Sequence, residues 1–262
     1  MLFRSKRISP AAHEEIQIDI SDSLGIRKLH FGGDDTQSAM RVNDPIELVL
    51  AYTRCLFGFL LFAEPPKQAL LIGLGGGSIA KWIHEKMPET HLTAVELHPQ
   101  VVAVARSMFQ TPADDDQFQV IVGDGAAHVY GMADDSADLI VMDAYGPSGI
   151  AEPLATSDFF SACRDRLTAD GILAVNLWGS DRRFETYRER LSQVFDGRVL
   201  LLPARQKGNV MAFCFARGLN NPTWQALAAR AEVLKPRYGL EFDEFVSDLA
   251  RLNAHNDRKL FI

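Results

Sequence analysis

The apolar positions follow two different rhythms along the chain. Ile16, Ile18 and Ile20 alternate with Gln17 and Asp19, the period of a half-buried strand. Residues 21–25, Ser-Asp-Ser-Leu-Gly, supply a turn; residues 26–31 predict a second strand; Gly32-Gly33-Asp34-Asp35 then turns into a third over residues 36–42. Asn43-Asp44-Pro45 has a side-chain oxygen to cap a helix and Pro for its first position, and predicts a helix to about Ala63, ahead of Glu64-Pro65-Pro66. From Lys67 onward the apolar residues come in continuous runs, at 69–72, 92–95, 118–122, 139–142 and 172–177. Such runs belong to strands buried on both faces. Helical stretches at 79–86 and 99–108 lie between them. A helix at 184–195 precedes strands at 198–202 and 210–215, a pair suited to an antiparallel edge, and helices at 223–234 and 243–252 close the chain.

Strands alternating with helices of this length predict an α/β fold, a doubly wound, mostly parallel Rossmann-like sheet with an antiparallel edge. The early meander predicts a small N-terminal β-lobe over residues 1–44, followed by the Rossmann-like domain over 45–262.

Composition narrows the functional classes. Of 262 residues 47% are hydrophobic, and the longest apolar run, 55–63, falls far short of the roughly 18 residues a membrane span requires. Residues 1–7 carry charge with no apolar stretch behind them, which predicts no secretory signal. A formal charge of −7 is the wrong sign for a chain built to grip phosphate backbones, so nucleic acid is not an expected partner. Three scattered cysteines, Cys55, Cys163 and Cys214, form neither a disulfide framework nor a metal pattern and fit a reducing cytoplasm.

Candidate chemistry begins at Gly73-Leu74-Gly75-Gly76-Gly77-Ser78, between a buried strand and a helix. Gly73 and Gly75 suit a tight turn, while Gly76 and Gly77 would let a ligand approach the backbone at the helix N-terminus. Glu96 ends the next strand at the distance where a carboxylate receives the ribose hydroxyls of a dinucleotide or S-adenosyl cofactor. Asp124-Gly125 closes the third strand, where the acid can bond an adenine amine lying over Gly125. Asp143 ends the fourth, in the crevice where open α/β sheets bind ligands, placed to orient an attacking amine and accept its proton. Nothing resembles a separate pyrophosphate grip, which favours an S-adenosyl over a nicotinamide cofactor. The plainer readings are packing glycines, a solvated Glu96, a turn-capping Asp143 and a Tyr145 packed on its own loop.

With these motifs, from about His13 to Phe215, the chain resembles the polyamine aminopropyltransferases, the spermidine and spermine synthases. The resemblance rests on Gly73 to Ser78, Glu96, Asp124-Gly125, Asp143, Gln37-Ser38, Asp158-Phe159-Phe160 and Leu167-Thr168-Ala169-Asp170-Gly171-Ile172, the last two matching the family's helix and turn after the active-site loop. It implies an S-adenosylmethionine-dependent transferase type of sheet, decarboxylated S-adenosylmethionine as co-substrate, and no metal. Gln37 is implied to help hold the cofactor, Tyr52 to meet the substrate, and the β-lobe to pair strands in a homodimer; Tyr145, by its own place two residues after Asp143, is read as a substrate-side wall for the transferred group. The aminopropyl group would pass to putrescine or a longer amine. Three departures stand out. Gly76 occupies the place of the loop Asp that receives the cofactor's ammonium, Gly146 that of the second Asp of Asp-x-x-Asp-Pro, and Tyr52-Thr53-Arg54 that of Tyr-His-Glu. They leave two other readings open: methyl transfer from S-adenosylmethionine on the same scaffold, and a non-catalytic nucleoside-binding or assembly protein.

Overall fold

The computed structural model describes residues 16–33, 35–146, 149–205 and 208–262. The N-terminal residues read for a targeting signal, the start of the resemblance at His13, Asp34 of the second turn and Pro147 lie outside the described residues.

Three antiparallel strands, β1 (Asp19–Ser23), β2 (Ile26–His30) and β3 (Thr36–Arg41), form a small sheet in that order. β1 is exposed along its whole length and starts only at Asp19, three residues later than predicted; ahead of it Ile16 and Ile18 are half-buried and Gln17 exposed, as the alternation predicts, while Ile20 is exposed. The predicted five-residue turn shrinks to Leu24 and Gly25, both at positive φ (50° and 74°). That left-handed pair is the two-residue link whose twist matches a hairpin.

The helix predicted from Pro45 is also corrected. Asn43-Asp44-Pro45 makes two successive turns, with Asp44 N–H donating to Arg41 C=O and Glu47 N–H to Asp44 C=O. The helix α1 is confined to Ala51–Leu56 and tightens into a 3₁₀ segment, Phe57–Leu61. An Arg41–Glu47 ion pair and the Arg54 guanidinium, donating to the Leu48 and Val49 carbonyls, hold the preceding chain out of helical form.

The remaining elements follow as β4 (Gln68–Ile72), α2 (Ser78–Lys86), β5 (His91–Glu96), α3 (Pro99–Met108), β6 (Phe118–Val122), α4 (Gly125–Gly131) and β7 (Ala137–Met142). The two-residue strands β8 (Tyr145–Gly146) and β9 (Gly149–Ile150) come next, then α5 (Ser157–Arg166) and β10 (Leu167–Trp178). The chain closes with α6 (Phe184–Val194), β11 (Val199–Pro203), β12 (Asn209–Phe215), α7 (Trp224–Tyr238) and α8 (Phe242–Leu249). α4 was not foreseen; the Asp124 carboxylate caps it, accepting from the Ala126 and Ala127 N–H groups. The turn read at 167–172 is absorbed into β10 as an irregularity in its pairing with β7. α7 runs through Pro236, because the buried Tyr238 packs on Trp82 and Phe242 and keeps the last turn docked.

The large sheet has the order β6-β5-β4-β7-β10-β12-β11, with β12 antiparallel to both its neighbours and the other strands mutually parallel. Alternate residues enter two separate cores. Leu71, Ala94, Val141, Ala174 and Phe213 meet α1, α2, α7 and α8 on one face, while Ile72, Val95, Met142, Val175 and Ala212 meet α4, α5 and α6 on the other. This is the doubly wound mixed sheet that the apolar runs predict. Strand order reverses between β4 and β7, and their C-terminal ends open the crevice where such sheets bind ligands.

Candidate active site

A cavity of about 470 Å³ occupies that crevice. β4 delivers Ile72 and then Gly73, whose φ of +92° and close approach to the Asp143 carbonyl leave no room for a Cβ. The chain can therefore bring the β4 and β7 ends together only through glycine. The small sheet roofs the cavity with Phe31, Asp35 and Gln37. It is tied down by a Ser38–Ser78 hydroxyl contact at 3.3 Å and by Arg27 donating to the Met108 carbonyl at 2.8 Å.

Gln37, Tyr52, Gly73, Gly75, Glu96, Asp124, Gly125, Asp143 and Tyr145 all line this one cavity. Gly76 and Gly77, read in sequence as ligand-approach positions, do not. A Cβ on Gly76 would stand 2.7 Å from Ser38 Oγ and 2.9 Å from the Phe109 ring, and one on Gly77 would strike Thr111. Both glycines serve close packing of the loop against β3 and the end of α3. Gly146 faces Gly149 in the β8–β9 ladder. Arg54 is no cation in the cavity; it pairs with Glu241 at 2.7 Å and fixes the backbone ahead of α1.

Glu96 is buried, and each of its oxygens takes a backbone donor: Oε2 from Leu74 N–H at 2.9 Å, Oε1 from His98 N–H at 3.0 Å. It thus ties the glycine loop to the end of β5. A carboxylate has about four lone-pair directions, so capacity remains for a diol. Asp124 uses Oδ1 to cap α4 and lines the cavity at the far end of the sheet. Gly125 is pressed against Ile72, whose Cγ2 would lie 2.5 Å from a Cβ.

Asp143 is held from two sides. Its Oδ1 accepts from Asn176 Nδ2 at 2.8 Å, and Oδ2 lies 3.3 Å from Tyr52 Oη, which can donate to it or to the Gln37 carbonyl. Asn176 Oδ1 in turn accepts from Asn209 Nδ2 at 3.0 Å, and Tyr145 Oη donates to the Asn176 carbonyl at 2.8 Å. Burial raises the Asp143 carboxyl to about 6, while the bonds from Asn176 and Tyr52 pull it back toward the usual range. Burial and the neighbouring Asp143 charge push the Tyr52 and Tyr145 phenols upward, so both remain protonated donors.

Asn176, Trp178, Asn209 and Asp35 also line the cavity and were not foreseen. Asn176 did carry a signal, being a polar residue inside the apolar run 172–177. Four carboxylates (Asp35, Glu96, Asp124, Asp143) face the cavity, and no Lys or Arg does among the described residues. No group of three or more His, Cys, Asp or Glu converges as a metal site among them. No helix among them is long and apolar enough to cross a membrane.

The spermine/spermidine synthase domain model matches residues 49–212. A polyamine aminopropyltransferase of Chromobacterium violaceum is 41% identical over 257 residues, covering 98% of each chain. Among solved structures, a probable spermidine synthase from Corynebacterium glutamicum aligns with a TM-score of 0.70 at 18% identity, covering 92% of this chain and 95% of its own. A spermidine synthase in complex with the transition state analogue AdoDATO aligns at 0.59 and 20% identity, covering 85% of this chain and 88% of its own. The two structures carry the fold, and the near full-length relative carries the kinship: the chain belongs to the spermine/spermidine synthase family.

Proposed function

We propose that this protein transfers an aminopropyl group from decarboxylated S-adenosylmethionine to a small amine such as putrescine, releasing methylthioadenosine. The observation that carries the reading is Asp143, hydrogen-bonded from two sides at the switch point of a cavity lined by acids. Glu96 receives the ribose diol, Asp124 the adenine amine, and Gly125 lies beneath the ring. Gly73 and Gly75 shape the loop along the ligand, with Gln37 closing the lobe side. Tyr52 and Tyr145 wall the path to Asp143, which orients the acceptor amine. The amine lone pair forms the new C–N bond as the C–S bond breaks, its electron pair passing to sulfur, and Asp143 takes the ammonium proton.

Methyl transfer and a non-catalytic role are less well supported. A cavity this acidic suits a cationic co-substrate without a carboxylate, and an assembly protein has no need of a held, burial-shifted Asp143. The described part of the 1–44 lobe, from Ile16 on, closes over the ligand, and 45–262 acts as the catalytic domain. The exposed edge strand β1 is the surface through which two lobes would pair in a homodimer. Three buried free thiols suit the cytoplasm.

The test is chromatography of the products formed from decarboxylated S-adenosylmethionine and putrescine. Methylthioadenosine appearing one-for-one with aminopropylated amine supports the reading. Methylated product from S-adenosylmethionine, with no turnover of the decarboxylated form, would overturn it.

A further inference from the structure

The antiparallel pair β10–β12 supplies the side of the site farthest from the glycine loop. In its register Trp178 faces Asn209 and Asn176 faces Met211. Residues two apart share a sheet face, so Asn176 and Trp178 leave β10 on the same side, and Asn209 sits diagonally beside Asn176. The hydrogen bonds run in one direction, from Asn209 Nδ2 to Asn176 Oδ1 and from Asn176 Nδ2 to Asp143 Oδ1. An amide has two faces, and only one can serve an ionised carboxylate. With Asn176 reversed, its oxygen would oppose the Asp143 oxygens and its NH₂ would oppose that of Asn209.

We propose that Asn209 is a positioning residue for Asp143, acting through Asn176. Its donor fixes the Asn176 amide so that the amino group always faces the carboxylate that orients the amine. Asn176 is itself buried, so a free rotor there would leave an unpaired polar atom in any other arrangement. The other groups around Asp143 are accounted for. Tyr52 of α1 and Tyr145 of β8 are neutral donors, Glu96 of β5, Asp124 before α4 and Asp35 of the lobe share the cavity as carboxylates, and His98, just after β5, lines it as an imidazole. No lining Lys or Arg among the described residues offsets these acids, so the ionised state of Asp143 rests on directed hydrogen bonds. The inference rests on the aminopropyl-transfer reading for its catalytic meaning but not for its readout.

Two variants separate the outcomes. Asn209→Ala removes the donor without adding charge, and Asn209→Asp offers an acceptor that turns the Asn176 amino group away from Asp143. Asp143 is followed in the ligand-free protein by carboxyl carbon-13 resonance, assigned with Asp143→Asn, and in turnover by the acid limb of kcat/KM. Loss of one directed bond should move the Asp143 titration upward by about half to one pH unit in Asn209→Ala, and farther in Asn209→Asp. A folded Asn209→Ala with an unmoved titration would overturn the proposal, leaving Asn209 a packing residue. If the wild type transfers no aminopropyl group, the reaction reading fails, and the resonance titration still decides the role of Asn209.

Discussion

At the scale of single residues, Asp143 concentrates the testable chemistry. Burial holds its pKa near 6, so the carboxylate able to take a proton exists above that value and is lost as pH falls through it. The acid limb of kcat/KM should therefore fall near pH 6, and that of kcat should lie lower, because a bound cation stabilises the ionised form. A limb near 4 would mean that Asp143 does not act as the base. Asp143→Asn should keep ligand affinity but lose roughly 10²–10⁴-fold in turnover. The same group sets a stability test. Folding raises its pKa, so its favourable contribution is present at low pH and disappears as pH rises from about 4 to about 6. The ionised group then costs about 1–3 kcal/mol at pH 7. Asp143→Asn should melt higher than wild type at pH 7 and level with it near pH 4. Glu96 behaves differently. Glutamine would turn an NH₂ against either the Leu74 or the His98 N–H, so Glu96→Gln should lose about 1–3 kcal/mol of stability as well as affinity for methylthioadenosine. An unchanged melting temperature would show that those two bonds carry little.

At the scale of elements, the strand ends were legible and the lobe less so. Glu96, Asp124 and Asp143 could be placed because each follows a continuous apolar run, and such runs have little choice but to be buried parallel strands. The isoleucine alternation at 16–20 gave the burial of Ile16 and Ile18 but not the bounds of the strand, because pairing with β2 is set by the Leu24-Gly25 turn and runs from Asp19 to Ser23. Asn43-Asp44-Pro45 misled because a capping sequence also suits a turn, and the contacts that decided for turns come from Arg54 and Glu47, farther along the chain. The glycine loop shows the same limit: that Gly76 meets Ser38 and Phe109 depends on how β3 and α3 converge. This gives a prediction. Gly76→Asp, which restores the family's loop acid, should bring no gain in amine or cofactor affinity. It should lower stability to chemical denaturation by about 1–3 kcal/mol, since a Cβ there must displace Ser38 or a buried ring. Tighter ligand binding with full stability would show that the loop can open toward the cavity.

At the scale of the whole molecule, the doubly wound topology decides which residues can meet. Because strand order reverses between β4 and β7, the ends of β4, β5, β6, β7 and β10 converge on one edge, and the small sheet closes over it. Residues as distant in sequence as Gln37 and Asn209 thereby share one cavity. Asn209 could not be read from its own segment, since its role depends on which strand β12 pairs with. The convergence also sets the sign of the field, for the four carboxylates come from four separate elements, and no lining Lys or Arg among the described residues offsets them. A ligand bearing a carboxylate of its own must add that charge to theirs. At roughly 10 Å and an effective dielectric of about 20, one like-charge pair costs about 1.7 kcal/mol, somewhat more than tenfold in affinity. Calorimetry should accordingly find decarboxylated S-adenosylmethionine bound at least tenfold more tightly than S-adenosylmethionine at low salt. The glycine at 76, where the family has an acid, does not change that sum, because a side chain there would meet Ser38 and Phe109 rather than the cavity. Equal affinities would mean that a cation reaches the ligand's carboxylate, and would reopen methyl transfer as the chemistry of this site.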